Sequence, residues 1–303
     1  MIFEKRIEKV HFQITKLCNL RCPFCGQWGE HGFFSTANGN PLTLDEWLYL
    51  AKQLEKLPQK PDITLWGGEP LCSPFFDELA KALYNMGFRL NIITNGTMID
   101  AHAEAINKYI DKIYVSIDGL KELHDSIRGK GVFEKVTENL KLLKKDNIRI
   151  MTVATKELDI EGFARYFCEY KILLQTLIAL SSDEIQDYKR WLKDSFGIHA
   201  AEIDAWLGEG YTPKITSLPE NVTFIPHGAT EAFCTSSYRH VHIAWNGNLL
   251  YCTDFYDFSA GNVRESPIEE IFNNELSERY RREISEGNCP TCQHCSWKNN
   301  LNL

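Results

Sequence analysis

Over the first 197 residues, short apolar runs alternate with longer runs in which apolar residues recur every three or four positions. The short runs predict six strands, at residues 10–14, 62–66, 89–94, 112–117, 148–155 and 172–178. The run TLDEWLYLAKQLEKL predicts the first helix, because Thr43 and Glu46 have the spacing of a capping box. Each later strand is also followed by a helical pattern. This alternation predicts an α/β fold with a parallel sheet, and six such units predict an incomplete (βα)6 barrel.

The pattern changes after residue 197. Residues 198–229 mix Gly, Pro and polar residues without sustained periodicity, which indicates a connector. The run HVHIAWNGNLLYC predicts a hairpin with Asn246 and Gly247 at its turn, and a helical tail follows. We therefore predict a barrel domain at 1–197, a connector at 198–229 and a small α+β domain at 230–303.

Composition limits the classes of protein that fit. The 303 residues are 44% hydrophobic, but no apolar run approaches the roughly 20 residues of a membrane span, and the N-terminus lacks the apolar core of a signal peptide. We therefore expect a cytoplasmic protein with no membrane partner. The net charge of −8 and the scattered lysines and arginines argue against nucleic acid as a partner. Ten clustered cysteines in a reducing compartment indicate metal binding or redox chemistry rather than disulfides.

Four short motifs follow the first four predicted strands. They are the Cys18, Cys22, Cys25 loop, then Gly67-Gly68-Glu69-Pro70, then Thr94-Asn95-Gly96, and finally Ser116 with Asp118 and Gly119. The carboxyl ends of parallel strands lie on one face of a barrel, where functional sites are built. The sequence therefore predicts that the four motifs meet in one site.

The CxxxCxxC loop, with Phe24 before its last cysteine, resembles the signature of the radical S-adenosylmethionine (SAM) superfamily, and GGEP resembles its second motif. The resemblance covers residues 8 to about 180. It implies a [4Fe-4S] cluster held by Cys18, Cys22 and Cys25, with SAM on the fourth iron. It also implies reductive cleavage of SAM to a 5′-deoxyadenosyl radical that abstracts hydrogen from a substrate carbon.

The same resemblance implies roles for individual residues. Gly68 and Glu69 are expected to hold the methionine amino group, and Arg128 to pair with the methionine carboxylate. Asn95, Ser116 and Asp118 are candidates for polar contacts to the ribose or the methionine. Phe24 and Val153 are expected near the adenine.

A second cysteine group occupies the C-terminal region. Cys234 and Cys252 flank the predicted hairpin, and Cys289, Cys292 and Cys295 lie near the chain end. This pattern resembles the SPASM domain, in its shortened Twitch form, and implies one auxiliary [4Fe-4S] cluster. Cys234, Cys252, Cys289 and Cys292 are the expected ligands, although Cys295 could replace one of the last two. Structural zinc is the alternative at either cysteine group, and Cys72 and Cys168 are expected to be buried apolar residues.

An auxiliary cluster without an open iron suits electron transfer, so the expected activity is that of an oxidoreductase. The shortened domain resembles that of an aminocyclitol alcohol oxidase, and the first 17 residues leave no room for a leader-peptide recognition domain. Both points favour a small sugar- or cyclitol-like substrate, with flavodoxin or ferredoxin as electron donor. An epimerase and a peptide-modifying maturase are the alternatives, and a non-enzymatic zinc protein is a remote one. The candidates for substrate contact are Gln27, Trp28, Glu30, His31, His199, Glu202, Asp204, Trp206 and His227.

Overall fold

The computed structural model describes residues 4–29, 32, 34, 39–176, 180–199, 217–225, 234–252 and 257–294. The strands are β1 (Lys9–Thr15), β2 (Asp62–Gly67), β3 (Leu90–Thr94), β4 (Lys112–Ser116), β5 (Ile148–Ala154), β6 (Lys171–Thr176), β7 (Val222–Ile225), β8 (His240–Ile243), β9 (Asn248–Leu250) and β10 (Gly261–Asn262). The helices are α1 (Leu44–Glu55), α2 (Phe76–Asn85), α3 (Ile99–Tyr109), α4 (Lys121–Arg128), α5 (Val132–Leu140), α6 (Ile160–Tyr166), α7 (Ser182–Phe196), α8 (Ser236–Arg239), α9 (Ile268–Asn273) and α10 (Glu275–Ser285).

All ten strands belong to one sheet, in the order β10-β9-β8-β1-β2-β3-β4-β5-β6-β7. Strands β1 to β7 are parallel to their neighbours, and at least one helix follows each of β1 to β6. The six predicted strand–helix units and the α/β class are therefore confirmed.

Alternate residues of the strands face the helices. Ile113 and Val115 of β4 are fully buried and pack in the same core as Phe12 of β1. Phe12 contacts Trp47 of α1, with the two ring centroids 4.7 Å apart. Tyr114, between the two buried residues of β4, is only half-buried. The helices thus cover the outer face of the sheet, and the inner face is more open.

Local signals mark the ends of two helices. At α1, Thr43 and Glu46 form the predicted capping box. Ser181 and Glu184 form a second one at α7, and Gly197 ends that helix with a φ of +69°. Along the described part of the chain, no helix has both the length and the apolarity needed to cross a membrane.

Four strands extend the sheet beyond the six predicted for the barrel: β7 at one edge and β8, β9 and β10 at the other. Strand β7 lies inside the predicted connector and pairs with β6. The predicted hairpin is present as β8 and β9, with Gly247 at a φ of +93°. However, β8 also pairs in parallel with β1, so the C-terminal hairpin continues the barrel sheet past its first strand.

Candidate functional site

The first cysteine loop follows the end of β1, and a backbone hydrogen bond closes a turn within it. The backbone N–H of Cys25 donates to the Cys22 carbonyl at 3.0 Å. Two further backbone N–H groups approach sulfur: that of Leu20 lies 3.4 Å from Cys18 Sγ, and that of Trp28 lies 3.4 Å from Cys25 Sγ. Burial raises the pKa of Cys18 to about 11, so this thiol needs a bound cation to ionise near neutral pH. N–H groups directed at sulfur suit thiolate ligands of an iron-sulfur cluster.

The two glycines of the GGEP motif let β2 approach this loop. A Cβ atom on Gly67 would lie 2.4 Å from the Thr15 carbonyl oxygen, and one on Gly68 would lie 2.3 Å from the Leu17 carbonyl oxygen. Instead, the N–H of Gly68 donates to the Thr15 carbonyl at 2.9 Å, and that of Glu69 donates to Leu17 at 2.7 Å. The glycines are therefore required for the second motif to pack against the cysteine loop.

The Glu69 carboxylate is fully buried and joins the second motif to the third. It accepts hydrogen bonds from the Thr94 hydroxyl at 2.7 Å, the Asn95 N–H at 2.6 Å and the Leu71 N–H at 3.1 Å. Burial raises its pKa to about 7, although the three hydrogen bonds act in the opposite direction. Much of the hydrogen-bonding capacity of Glu69 is thus used within the protein.

Asn95 joins the third motif to the cysteine loop. Its side-chain amide donates to Asn19 Oδ1 at 2.9 Å and lies 4.0 Å from Cys18 Sγ. Its amide oxygen accepts from the Thr97 hydroxyl at 2.6 Å. Gly96 completes this turn with a φ of +81°, a conformation that favours glycine. The first three motifs therefore lie together, as the sequence predicted.

The fourth motif forms a buried ion pair beside the same loop. Asp118 Oδ2 accepts from Arg128 Nε at 2.6 Å, and its Oδ1 accepts from the Val153 N–H at 3.1 Å. The Asp118 N–H donates to Nδ1 of the buried His124 at 3.1 Å. Burial lowers the pKa of Arg128, but Asp118 and the nearby Cys22 raise it above its usual value. Among the described residues, the two terminal nitrogens of Arg128 have no hydrogen-bond partner, so they can bind an anion.

The remaining predicted residues lie at the same end of the sheet. Ser116 is the last residue of β4, and its side chain is on the inner face. Val153, on the neighbouring strand β5, is 9% exposed. Phe24 is half-buried within the cysteine loop. The structure thus brings all the predicted SAM-site residues to the carboxyl ends of β1 to β5.

A second site lies in the C-terminal region. A small cavity of about 20 Å³ is lined by Tyr188, Trp191, Tyr251, Cys252, Phe258, Tyr280, Cys289 and Cys292. A side-chain hydrogen bond between Cys289 and Cys292 lowers the pKa of Cys289 and raises that of Cys292. Cys234 and Cys292 both pack against the hydrophobic core, and Cys234 acts electrostatically on Cys292 and Tyr280, so it lies near them. The four predicted auxiliary ligands therefore converge, whereas Cys295 lies outside the described residues.

Aromatic rings enclose this second site. The rings of Phe258 and Tyr280 are 4.4 Å apart, and those of Tyr251 and Tyr280 are 5.3 Å apart. Tyr188 and Trp191 come from α7, in the sixth unit of the barrel. Trp191 Nε1 donates to Glu283 Oε2 of α10 at 3.1 Å. The barrel therefore supplies part of the wall around the C-terminal cysteines.

A buried arginine connects the segments that carry these cysteines. Arg281 is 1% exposed, and its Nε donates to the Ser237 carbonyl at 2.8 Å. One terminal nitrogen donates to the Phe272 carbonyl at 2.7 Å and to the Tyr251 hydroxyl at 3.2 Å. Ser237 lies three residues after Cys234, and Tyr251 directly precedes Cys252. Arg281 thus holds two ligand-bearing segments in place.

Two protein-family models match this chain, and each match contains one of the two cysteine groups. A family model described as "Radical SAM superfamily" matches residues 12–165, about half of the 303-residue chain. This chain belongs to the radical SAM superfamily. A second model, SPASM, described as "Iron-sulfur cluster-binding domain", matches residues 234–296. The predicted domain limits at 197 and 230 stay predictions.

Individual radical SAM enzymes resemble the chain over most of its length. The AdoMet-dependent heme synthase of Methanosarcina barkeri is 26% identical, over 94% of this chain and 88% of its own. Among solved structures, Streptococcus suis SuiB bound to the precursor peptide SuiA has a TM-score of 0.63 at 16% identity, covering 99% of this chain and 74% of that one. BtrN in complex with AdoMet and 2-DOIA has a TM-score of 0.59 at 17% identity, covering 99% and 96%.

The family assignment decides between the alternatives for the two cysteine groups. This radical SAM protein is an enzyme that uses SAM, a SAM-binding [4Fe-4S] cluster and an auxiliary iron-sulfur cluster. The structural-zinc alternative is therefore wrong.

The two isolated cysteines and the candidates for substrate contact have different outcomes. Cys168 is exposed, so the prediction that it is buried is wrong, and Cys72 is half-buried. Gln27 and Trp28 are half-buried next to the cysteine loop, and His199 is exposed. The remaining substrate candidates lie outside the described residues: Glu30, His31, Glu202, Asp204, Trp206 and His227.

Sequence reasoning missed several residues of both sites. Asn19 and Thr97 bind Asn95 through side-chain hydrogen bonds, and His124 accepts a hydrogen bond from the Asp118 N–H. Their proximity in sequence to the motifs was the available signal. No comparable signal marked the aromatic wall, because Tyr188 and Trp191 have the spacing of ordinary buried residues on an amphipathic helix.

Proposed function

We propose that this radical SAM enzyme oxidises a small, polar, sugar- or cyclitol-like substrate, with an auxiliary [4Fe-4S] cluster as the electron acceptor. The convergence of Cys252, Cys289 and Cys292 in one aromatic-lined site, with Cys234 near enough to act electrostatically on Cys292, carries this proposal. Four thiols suffice to ligate a [4Fe-4S] cluster completely. Such a cluster has no open iron for substrate, so electron transfer is the role that remains.

The SAM site is proposed to lie among the four motifs. Cys18, Cys22 and Cys25 hold the [4Fe-4S] cluster, and Gly68 and Glu69 receive the methionine amino group. The terminal nitrogens of Arg128 bind the methionine carboxylate in a charge-assisted contact. Bound there, the cluster and SAM supply the 5′-deoxyadenosyl radical that removes a hydrogen atom from a substrate carbon.

Other residues of the site orient these groups. Asp118 is fully buried and paired with Arg128, so we assign it a role in positioning the arginine rather than in contacting SAM. Asn95 holds the cysteine loop through Asn19, with Ser116 left to contact the ribose or methionine. Phe24 and Val153 lie near the adenine in this proposal.

Oxidation follows from the electron balance at a hydroxyl-bearing carbon. Loss of the hydrogen atom breaks one C–H bond and leaves a carbon radical that still carries the hydroxyl. Loss of one electron and of the hydroxyl proton then forms a carbonyl group. That electron would pass to a cluster held by Cys234, Cys252, Cys289 and Cys292, and the proton would pass to solvent.

Two relatives support different substrates. BtrN, crystallised with AdoMet and 2-DOIA, is similar in fold over 96% of its own chain, which favours a small molecule. SuiB, crystallised with a precursor peptide, favours a peptide and the maturase or epimerase alternative. An electron donor such as flavodoxin or ferredoxin, in the cytoplasm, completes the proposal.

Turnover in deuterated water separates oxidation from epimerisation. An epimerase must return a hydrogen atom to the abstracted carbon, usually from a thiol that exchanges with solvent. An oxidase leaves that carbon as a carbonyl. We expect a product two mass units lighter than the substrate, without deuterium at the abstracted carbon. Deuterium there, together with loss of turnover in a single Cys→Ala variant that keeps both clusters, would establish an epimerase.

A further inference from the structure

Trp245 attaches the C-terminal hairpin, β8 and β9, to the barrel domain. It lies in the connection between the two strands and is buried. Its backbone N–H donates to Oε1 of Gln13 on β1 at 3.3 Å, and its carbonyl accepts from the Leu42 N–H at 2.7 Å. Both polar groups of its backbone are therefore bonded to the barrel domain, which fixes the position of its indole ring.

The indole ring of Trp245 contacts the segment that leads into the first cysteine loop. The Lys16 Nζ atom lies 4.7 Å from the centroid of this ring, which is a cation–π contact. Lys16 is the second residue before Cys18. The buried ring of Phe34 also meets the indole edge to face, with the centroids 6.5 Å apart. A residue of the C-terminal region therefore packs directly beside the SAM-binding cysteines.

Trp28 connects the two ends of this cysteine loop. Its indole N–H donates to the Lys16 carbonyl before Cys18, and its backbone N–H lies 3.4 Å from Cys25 Sγ. The Arg21 guanidinium covers its ring, with Cζ 4.4 Å from the centroid. The direction of the Trp28 N–H towards sulfur therefore depends on where Lys16 holds the indole.

Phe34 provides a second connection between the two tryptophans. Its ring meets that of Trp28 at 71°, with the centroids 5.8 Å apart. Its backbone N–H donates to the carbonyl of Gln27, the residue before Trp28, at 3.0 Å. Trp245 thus reaches Trp28 both through Lys16 and through Phe34. Close-packed side chains transmit a displacement, because they have little free space in which to relax.

We propose that Trp245 is a positioning residue for the SAM-binding cluster and that it sets the reduction potential of this cluster through Trp28. Hydrogen bonds to the ligand sulfurs are one of the factors that determine the potential of an iron-sulfur cluster. Reduction adds a negative charge, which an N–H group directed at sulfur stabilises. A displaced Trp28 N–H would therefore lower the potential. The inference is independent of the substrate, because oxidation and epimerisation need the same reduced cluster.

Redox titration of the reconstituted enzyme, followed by EPR, measures both clusters without turnover. In Trp245→Leu, the ratio of reduced to oxidised SAM-binding cluster at a fixed potential should fall about tenfold, a shift of about 59 mV to more negative values. The auxiliary cluster should keep its potential. Trp245→Phe should restore most of the shift, because it keeps an aromatic face for Lys16. Leu249→Ala is the control, since Leu249 is equally buried in the same hairpin and has Ile243 and Gly261 as strand partners.

A double variant tests the route through Phe34. Phe34→Leu removes the ring that lies between the two tryptophans. Trp245→Leu should therefore shift the potential less in a protein that already carries Phe34→Leu than in the wild type, because residues on one path are not additive. Full additivity of the two shifts would exclude Phe34 as a connection.

Hydrogen exchange of the iron-free protein, followed by mass spectrometry, gives a measurement that needs no cluster. The segment 18–29 should exchange faster in Trp245→Leu than in the wild type or in Leu249→Ala. An unchanged potential of the SAM-binding cluster in Trp245→Leu, or an equal shift in Leu249→Ala, would overturn the inference. If Trp245→Leu does not retain this cluster, the exchange result decides alone, and unchanged exchange of the segment would overturn the inference.

Discussion

Asp118 and Arg128 form a buried ion pair in which the carboxylate contacts only one of the three guanidinium nitrogens. The Asp118 Oδ2 atom lies 2.6 Å from Arg128 Nε. The Asp118 side chain is fully buried, and that of Arg128 is 11% exposed. The other carboxylate oxygen accepts from the Val153 N–H on the next strand. The position of Arg128 is therefore fixed by β4 and β5, while its terminal nitrogens stay available for an anion.

Replacing Asp118 by Asn tests this positioning role. The amide keeps the shape but removes the charge, so Arg128 loses a charge-assisted contact worth about 1.5–3 kcal/mol. We expect SAM affinity to fall roughly tenfold to a hundredfold by calorimetry, with iron content unchanged. Asp100→Asn is the control, since Asp100 pairs with Lys135 at the surface. Unchanged SAM affinity in Asp118→Asn would show that Arg128 needs no such support.

Glu69→Gln should weaken SAM binding about tenfold, because the amide lacks the charge that attracts the methionine amino group. The structure adds a second consequence. A Gln side chain presents an N–H group where the carboxylate now accepts from Thr94 or Asn95. We therefore also expect a lower denaturation midpoint of the iron-free protein. Full stability together with full SAM affinity would contradict both roles of Glu69.

Below about pH 6.5, the stability of the iron-free protein should depend on the protonation of His124. Burial, followed by the positive charge of Arg128, lowers the pKa of His124 from 6.5 to about 4. The unfolded state then binds more protons than the folded state between these values, so stability falls as pH decreases from about 6.5 to about 4. The full effect is about 3 kcal/mol. Urea unfolding across this range should show a loss that His124→Gln reduces, and an equal pH dependence in both proteins would exclude His124 as the cause.

Arg281→Met should remove the auxiliary cluster but not the SAM-binding one. The variant loses the hydrogen bonds that join the segments next to Cys234 and Cys252. We expect iron content to fall from about eight to about four per chain, with 5′-deoxyadenosine still produced under dithionite. Arg281→Lys should retain part of the auxiliary iron, since a lysine can keep one of these contacts. An unchanged auxiliary EPR signal in the Met variant would contradict the role.

The strands and helices of the barrel were predictable because local patterns determine them, as the confirmed capping box at Thr43 shows. The meeting of the motifs was also predictable, since parallel strands place their carboxyl ends together. The pairing of β8 with β1 was not, because it joins His240 to Lys9 across most of the chain. The sequence also does not show that the Asp118 carboxylate accepts hydrogen bonds from Arg128 and from the Val153 N–H. Strand β7 was missed because four residues carry too little periodic signal.

The central claim is that the first cysteine site holds the cluster that cleaves SAM and the second holds the cluster that accepts an electron. Production of 5′-deoxyadenosine by two variants tests this claim directly. Under dithionite and SAM, Cys22→Ala should produce none, because it lacks one of three ligands of the SAM-binding cluster. Cys252→Ala should still produce 5′-deoxyadenosine but yield no oxidised product, because only the electron acceptor is lost. Wild-type production by Cys22→Ala, or full substrate oxidation by Cys252→Ala, would contradict the account.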